Sequence, residues 1–295
     1  MSDSSSYFRR AKWFDRAARY VISAGGIGVI GCVVLMLVLI VRVALPLFYP
    51  ADAQQHAAPV AGPSGVIKAI GVDEYLEGGF TLLESGALEF FKFSNSTERI
   101  QKTIVPLKEG ATIAEVETRG KMSHTLLWST GDVTLDKVTF GVTYDDAGVR
   151  VLVPRVSRLM QVPVKGDKKP LKAAARSGAE GSVAVLQMSA TTFTIIKTVV
   201  ETDLFGNEKT EQVDFGLELE DGLEVGVWGL DGAGEALYVA TRQGHLAGWS
   251  LSGDSEATRL DVTQVNTPFG AVTALGFVNG DVSVALGHQD GHVTT

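Results

Sequence analysis

The chain has 295 residues and a formal net charge of −8 at pH 7. Residues 1–49 hold six basic and two acidic residues, a local charge of +4 that leaves −12 for the remainder, which argues against a nucleic acid as partner. Cys32 is the single cysteine, so the chain after residue 49 contains no disulfide and must be stabilised by its core.

The first hydrophobic segment is long enough to cross a membrane. Residues 20–41 form a run of 22 without a charge, and at 1.5 Å per residue about 20 residues cross a hydrocarbon core of about 30 Å. We therefore predict a transmembrane helix and its exit over residues 20–49. Phe48 and Tyr49 lie between two prolines and are suited to the outer headgroup region.

The charges that flank this segment predict its orientation. The basic N-terminus, residues 1–19, contains two acids, Asp3 and Asp15. It also contains five cations, which are Arg9, Arg10, Lys12, Arg16 and Arg19. Basic flanks stay in the cytoplasm, so we predict a single pass through a bacterial inner membrane with a periplasmic C-terminal region. The alternative is a cleaved signal peptide with a site at Ala51 to Ala53, but signal peptides have a shorter apolar region of about 7–15 residues.

A glycine fingerprint lies inside the same segment. Gly26, Gly28 and Gly31 match G-x-G-x-x-G, and Asp52 follows about twenty residues later. The motif binds a dinucleotide only where a strand leads into a glycine turn that opens a helix. An uncharged membrane segment does not provide that context, so we predict no cofactor.

Small residues also recur at helical spacing in this segment. Ala24, Gly28 and Cys32 are four residues apart and would lie on one stripe, which predicts a face for close packing against a neighbouring helix. The alternative is that glycine is simply more frequent in membrane helices.

Beyond a small, polar, proline-containing linker at residues 50–65, the pattern changes to short alternating runs separated by glycine and aspartate. Residues 227–249 and 272–295 repeat each other: Gly244-His245 matches Gly291-His292 at an offset of 47, and Val239-Ala240 matches Val284-Ala285 at 45, with a two-residue change in the connecting turn. Fainter copies lie at 81–93 and at 183–196, where the turn glycine is lost.

This period is typical of propeller blades of four short strands. We predict that residues 66–295 form a mainly β, WD40-like β-propeller with room for about five blades. The sequence stops directly after a strand, and an unclosed ring would leave an exposed edge. We therefore expect an incomplete propeller, at the front of a longer polypeptide.

Residues 14–51 resemble the first transmembrane segment of the long-form phosphate ABC transporter permease (PstC-like) of Gram-negative bacteria. The similarity rests on Asp-Arg-x-Ala-Arg at 15–19, Gly-Gly-Ile-Gly-Val-Ile-Gly at 25–31 and Pro-Leu-Phe at 46–48. It implies a large β-rich insertion after the first helix. The implied partners are a second permease subunit, a cytoplasmic ATPase and a periplasmic phosphate-binding protein.

The sequence departs from that family because it contains one span and no translocation core. We therefore expect a membrane-anchored accessory or docking region of a phosphate import permease. The alternative is a membrane-anchored propeller scaffold for envelope protein–protein interactions, unrelated to transport.

Catalytic motifs are lacking: no Walker A, H-E-x-x-H or G-x-S-x-G sequence occurs, and we predict no enzyme activity. His288, Asp290 and His292 suggest a metal site at a turn. The related repeat retains only His245, so turn polarity is the better interpretation and we predict no metal site.

Two segments carry opposite charge. Residues 201–224 hold nine acids and one lysine, whereas seven cations between 155 and 176 are opposed only by Asp167. Both segments are candidate docking surfaces for partners of opposite charge; the alternative is solvated loops or a long hairpin. The basic segment is also a candidate site for phosphate or anionic lipid headgroups. Its cations are Arg155, Arg158, Lys165, Lys168, Lys169, Lys172 and Arg176.

Overall fold

We analysed a computed structural model of the chain. It describes residues 4–45, 65–93, 99–120, 122–148, 150–164, 166, 168–178, 181–202, 208–220, 222–253, 256–265 and 268–295. The chain divides into two compact units, Met1–Ala58 and Pro59–Thr295. The predicted exit segment, and all of the predicted linker except Gly65, lie outside the described residues.

The N-terminal unit is built on one helix, α1, Ser4–Ala44. Its segment Ala18–Ala44, 27 residues with a mean hydropathy of 2.8, is long and apolar enough to span a membrane. The helix also begins further upstream than the predicted span, since most of the basic segment continues it. The glycine fingerprint lies within α1 and not in a turn after a strand, so the backbone geometry that a dinucleotide needs is absent there.

Among its described residues the second unit contains five sheets that follow one another along the chain, and we name them blades 1 to 5. In each sheet neighbouring strands are consecutive and antiparallel. Blade 1 comprises β1 Ile67–Val72, β2 Gly78–Leu83, β3 Ala87–Lys92 and β4 Arg99–Thr103, and blade 2 comprises β5 Ile113–Arg119, β6 Ser123–Trp128, β7 Val133–Tyr144 and β8 Arg150–Val162.

The remaining blades repeat this order. Blade 3 comprises β9 Lys172–Ser177, β10 Gly181–Gln187, β11 Thr192–Thr202 and β12 Glu208–Glu218. Blade 4 comprises β13 Val225–Leu230, β14 Ala236–Thr241, β15 His245–Ser250 and β16 Thr258–Gln264. Within the described residues, blade 5 comprises three strands, β17 Val272–Val278, β18 Ser283–His288 and β19 Val293–Thr294.

The first strands of successive blades lie side by side. β1 contacts β5, β5 contacts β9, β9 contacts β13, and β13 contacts β17. First strands that neighbour one another while the later strands lie further out are the arrangement of a propeller, with β1, β5, β9, β13 and β17 on the inside. The predicted fold class is thus confirmed: mainly β, propeller-like, after one N-terminal helix.

The core lies between adjacent blades, because each sheet turns apolar side chains toward both neighbours. Blades 1 and 2 share a cluster that includes Phe80, Phe90, Leu126 and Trp128. A second cluster joins blades 2 and 3, and a third joins blades 3 and 4 through Phe193 and other side chains. Burying each large side chain of this kind contributes about 1.5–3 kcal/mol.

A repeated turn joins the second and third strands of the blades. Gly86, Gly131, Gly244 and Gly291 have φ between 83° and 93°, and each donates its N–H to the carbonyl three residues earlier. In blade 3 the Ser189 hydroxyl oxygen accepts the N–H groups of Thr191 and Thr192 instead, at 3.1 and 3.0 Å. The faint copy at 183–196 is therefore confirmed as a blade hairpin in which serine closes the turn.

The structural alignment of blades 4 and 5 corrects one detail of the predicted repeat. Trp228 pairs with Val239, and Leu275 pairs with Leu286, so Val239 corresponds to Leu286 at the same offset of 47 as the turn glycines. The predicted match to Val284-Ala285 at 45 was wrong. The turns between the second and third strands also have equal length, because Gly244 donates to Thr241 and Gly291 donates to His288, so there is no two-residue change in the turn.

We expect Gly86→Ala to destabilise the propeller more than Gly291→Ala. Both glycines have positive φ, which costs alanine about 1 kcal/mol. A Cβ at Gly86 would also lie 2.8 Å from the Ile104 carbonyl oxygen and 3.1 Å from the Trp128 ring, whereas nothing lies within 4 Å at Gly291. Unfolding in denaturant, followed by tryptophan fluorescence, should show a loss of about 3 kcal/mol for Gly86→Ala. Equal losses would contradict this account.

Candidate docking surfaces

Among the described residues, two hairpins have longer strands than the rest of the propeller. β7 and β8 have 12 and 13 residues, and β11 and β12 have 11 each. We call β7–β8 the basic arm and β11–β12 the acidic arm. β7 pairs with β8 from Val133–Val162 to Tyr144–Arg150, with one register shift between Leu135 and Asp136, so the arm is a two-stranded ribbon with one irregularity near its base. β11 pairs with β12 from Thr192–Glu218 to Thr202–Glu208, so the long hairpin predicted as an alternative for the acidic segment is present.

The basic arm leans on blade 1. The rings of Phe90 and Phe140 meet edge to face at 5.7 Å, and a Cβ built on Gly78 would lie 3.6 Å from a Leu152 methyl group. Arg150 forms an ion pair with Glu77 in the turn between β1 and β2. These contacts hold the arm in one orientation.

The acidic arm leans on blade 4. The Lys197 ammonium donates to the carbonyl oxygens of Leu251 and Gly253 at 2.8 and 2.7 Å. Just beyond β12, Glu220 forms an ion pair with Arg259 on β16. On the described part of this arm, Asp214 and Glu218 are exposed.

The seven predicted docking cations fall into different settings. Arg155 and Lys168 are exposed. Arg158 is half-buried, pairs with Asp136 and donates to the Val105 carbonyl oxygen at 2.7 Å.

The other cations are mostly tied to the propeller. Lys169 is exposed but donates to the Ser129 carbonyl oxygen at 2.7 Å. Lys172 lies 5.1 Å from the centre of the Trp228 ring. Arg176 is buried, and Lys165 lies outside the described residues. Docking through the exposed members of this group stays a prediction.

Arg176 connects three blades through its guanidinium. From β9 it donates both terminal nitrogens to the Glu117 carboxylate on β5, each at 2.8 Å. It also donates to the carbonyl oxygens of Leu230 and Asp231, each at 2.9 Å, at the end of β13. Arg176 is only 6% exposed. It is therefore part of the interior, where the Glu117 carboxylate balances its charge.

The sequence analysis missed the partners of Arg176. Glu117 lies on β5, and the Thr125 hydroxyl donates to its carboxylate at 3.3 Å while accepting the Ala175 N–H at 2.9 Å. Nothing in the spacing of Glu117, Thr125 and Arg176 along the chain predicts that they meet. Their contact depends on the neighbouring positions of the first strands of blades 2 and 3.

Two titratable groups near this network have shifted pKa values. Burial raises the pKa of the Glu115 carboxyl, Lys172 opposes that shift and Glu117 adds to it. Burial lowers the pKa of His124, against the attraction of Glu117. The His124 ring contacts Thr118 through Nδ1 at 3.0 Å, and its Nε2 has no hydrogen-bond partner among the described residues.

The remaining predicted residues lie elsewhere. Ala24, Gly28 and Cys32 are exposed on α1, and nothing within the described residues comes within 4 Å of a Cβ built on Gly28. Helix packing there stays a prediction.

The histidines of the last described turn have partners within blade 5 or next to it. His288 is buried against Thr294, with Nε2 and the hydroxyl oxygen 2.9 Å apart. His292 pairs with Asp290 and stacks on Phe269. Among the described residues no cluster of three potential metal ligands occurs.

The solved structures to which this chain is similar include the two that follow. One is the β-propeller domain of Cps50 (Swd1) from Myceliophteria thermophila, 11% identical, covering 80% of this chain and 71% of its own, with a TM-score of 0.43. The other is the Nup170 N-terminal domain–Nup53 complex of Chaetomium thermophilum, 13% identical, covering 76% and 35%, with a TM-score of 0.42. No protein-family model and no curated protein matches the chain.

We expect Arg176→Met to destabilise the propeller by about 2–4 kcal/mol, because the substitution leaves the Glu117 carboxylate without its cation and two carbonyl groups without the guanidinium donor. The matched control is Arg242→Met, which removes an exposed ion pair with Glu224 and should change the free energy of unfolding by less than about 0.5 kcal/mol. Denaturant unfolding measures both. Similar small effects would show that the three-blade contact contributes little.

We expect the propeller to lose stability in mild acid through His124. Its pKa is lowered in the folded chain, so the unfolded chain takes up the proton more readily, and stability falls as the pH drops below the ordinary histidine value of about 6.5. His124→Leu should flatten the decline in unfolding free energy between about pH 7.5 and 5. His292→Leu, at an exposed site, is the control. Identical pH slopes for wild type and His124→Leu would refute the assignment.

Proposed function

We propose that this chain is a membrane-anchored propeller scaffold that binds partner proteins through its two arms. The observation that carries this proposal is the pair of long hairpins, one presenting cations and the other acids, each fixed against a different neighbouring blade. Surfaces that are already ordered before binding lose less conformational entropy on association. Opposite charges on separate arms favour partners of complementary charge and speed their encounter.

The anchor and orientation form part of the proposal. Five basic residues precede the apolar part of α1, and such flanks remain in the cytoplasm. The propeller is then periplasmic, and the helix lies in the inner membrane. We propose no catalytic role for the chain.

A narrower form of the proposal places the scaffold in a phosphate importer. Its support is the resemblance of residues 14–51 to the long-form phosphate permease, which implies a second permease subunit, an ATPase and a phosphate-binding protein as partners. Uptake of labelled phosphate by cells with and without the chain tests this form. Unchanged uptake would leave the scaffold without a link to transport.

Site-specific photo-crosslinking of the full chain in native membranes tests the scaffold itself. A photoreactive residue at Ser157, exposed on β8 of the basic arm, or at Glu218 on the acidic arm, should give a discrete adduct identifiable by mass spectrometry. The same residue at Lys102, exposed on β4 of blade 1, is the control position.

Charge reversal completes this experiment. Arg155→Glu with Lys137→Glu, which reverses two exposed cations of the basic arm, should reduce crosslinking through that arm by at least about fivefold, because complementary charge is replaced by repulsion. Lys102→Glu should leave it unchanged. Arms that give no adduct, or adducts insensitive to charge reversal, would contradict the proposed function.

A further inference from the structure

A groove lies between blade 1 and the basic arm. Its walls are apolar: Phe91 and Ile100 come from blade 1, and Phe140, Leu152 and Pro154 come from the arm. Phe140 and Leu152 are held in place by the contacts that seat the arm on blade 1. The groove is therefore a fixed feature of the surface and not a gap between mobile loops.

Exposed apolar side chains continue this groove toward the tip of the arm. Val142 and Tyr144 follow Phe140 at alternate positions of β7 and so share its face, with exposed fractions of 49% and 68%. Tyr75 and Leu76, in the turn between β1 and β2, are 70% and 67% exposed. A cluster of large exposed apolar groups beside an apolar groove is typical of an interaction site.

The turn that presents Tyr75 and Leu76 is rigid. The buried Asp73 carboxylate accepts the N–H groups of Tyr75 and Gly78 at 3.1 and 2.6 Å, and the Asp73 carbonyl accepts the Leu76 N–H at 3.2 Å. Leu76 has a φ of +56°, a left-handed conformation unfavourable for a branched side chain. A strained residue that holds its apolar side chain in solvent points to a function for that side chain.

Arg150 brings the arm and the turn together. Its guanidinium lies 5.1 Å from the centre of the Tyr75 ring and pairs with Glu77, and on β8 it stands directly opposite Tyr144. The surrounding charge is acidic, because Arg150 and the half-buried Lys92 are outnumbered by exposed carboxylates. These are Glu74, Glu77, Asp145 and Asp146.

We propose that this groove binds an extended segment of a partner protein in which apolar side chains alternate with basic residues. The apolar side chains pack on Phe91, Phe140 and Leu152 and against the exposed tyrosines, while the basic residues face the acidic rim. This inference rests on the proposed scaffold function and names the chemistry of one of its partners. The binding site lies where the arm meets blade 1, apart from the charged outer surface of the arm.

Fluorescence anisotropy on the full chain in detergent tests the proposal. The probe is a short labelled peptide in which leucine and tryptophan alternate with lysine. Tyr75→Ser and Tyr144→Ser should each weaken its binding by about tenfold or more, as expected for aromatic anchors of an interface. Both side chains are largely exposed, so these variants should fold. Val282→Ser, which removes an apolar side chain 84% exposed on blade 5, should bind like the wild type.

Two further probes make the result specific. A peptide with glutamate in place of lysine, and one with serine in place of leucine and tryptophan, should both bind at least about tenfold more weakly than the first. Equal binding by all three peptides, or by all variants, would overturn the proposal. Self-association of the chain that Tyr144→Ser abolishes, seen by sedimentation velocity, would also overturn it, because a second copy would then be the occupant. Arm crosslinks that persist while the peptide fails to bind would reject the groove and leave the scaffold function intact.

Discussion

A buried cation, Arg176, connects three blades of the propeller. Arg176 extends from the inner strand of blade 3 to a carboxylate of blade 2 and two carbonyl groups of blade 4. The apolar clusters are each confined to two neighbouring blades and do not fix the relation between blades 2 and 4. The guanidinium supplies that relation with donors in a fixed planar geometry, which lysine could not reproduce.

The two arms lean on different neighbouring blades. The basic arm rests on blade 1 through aromatic and aliphatic contacts, and the acidic arm rests on blade 4 through Lys197 and the Glu220–Arg259 pair. Exposed strands are usually a hazard for a sheet protein because they invite unwanted pairing. Here the long strands pair with each other, and contacts to a neighbouring blade hold each hairpin.

The repeated elements of the fold were predictable, and the long-range contacts were not. The turns at Gly244 and Gly291 gave the blade pattern because a left-handed turn residue and alternating strands leave a local signal. Arg176 was grouped with its basic neighbours because charge along the chain does not reveal which side of a strand faces a neighbouring blade. The long hairpin was predicted only as an alternative for the charged segments, since blades of four short strands were expected. Tyr75 and Leu76 gave no signal in the sequence, because the turn that exposes them is held by Asp73.

The opposite lean of the two arms has a mechanical consequence. Through its arms, blade 2 braces blade 1 and blade 3 braces blade 4, so the arms diverge from the boundary between blades 2 and 3. A ligand that grips both arms at once would connect four of the five blades in a single span. Such a ligand would hold blades 1 and 4 together. A force that separates these blades would have to break the contacts of the ligand as well as the interfaces between the sheets. The resistance of the propeller to pulling would then depend on whether its partner is bound.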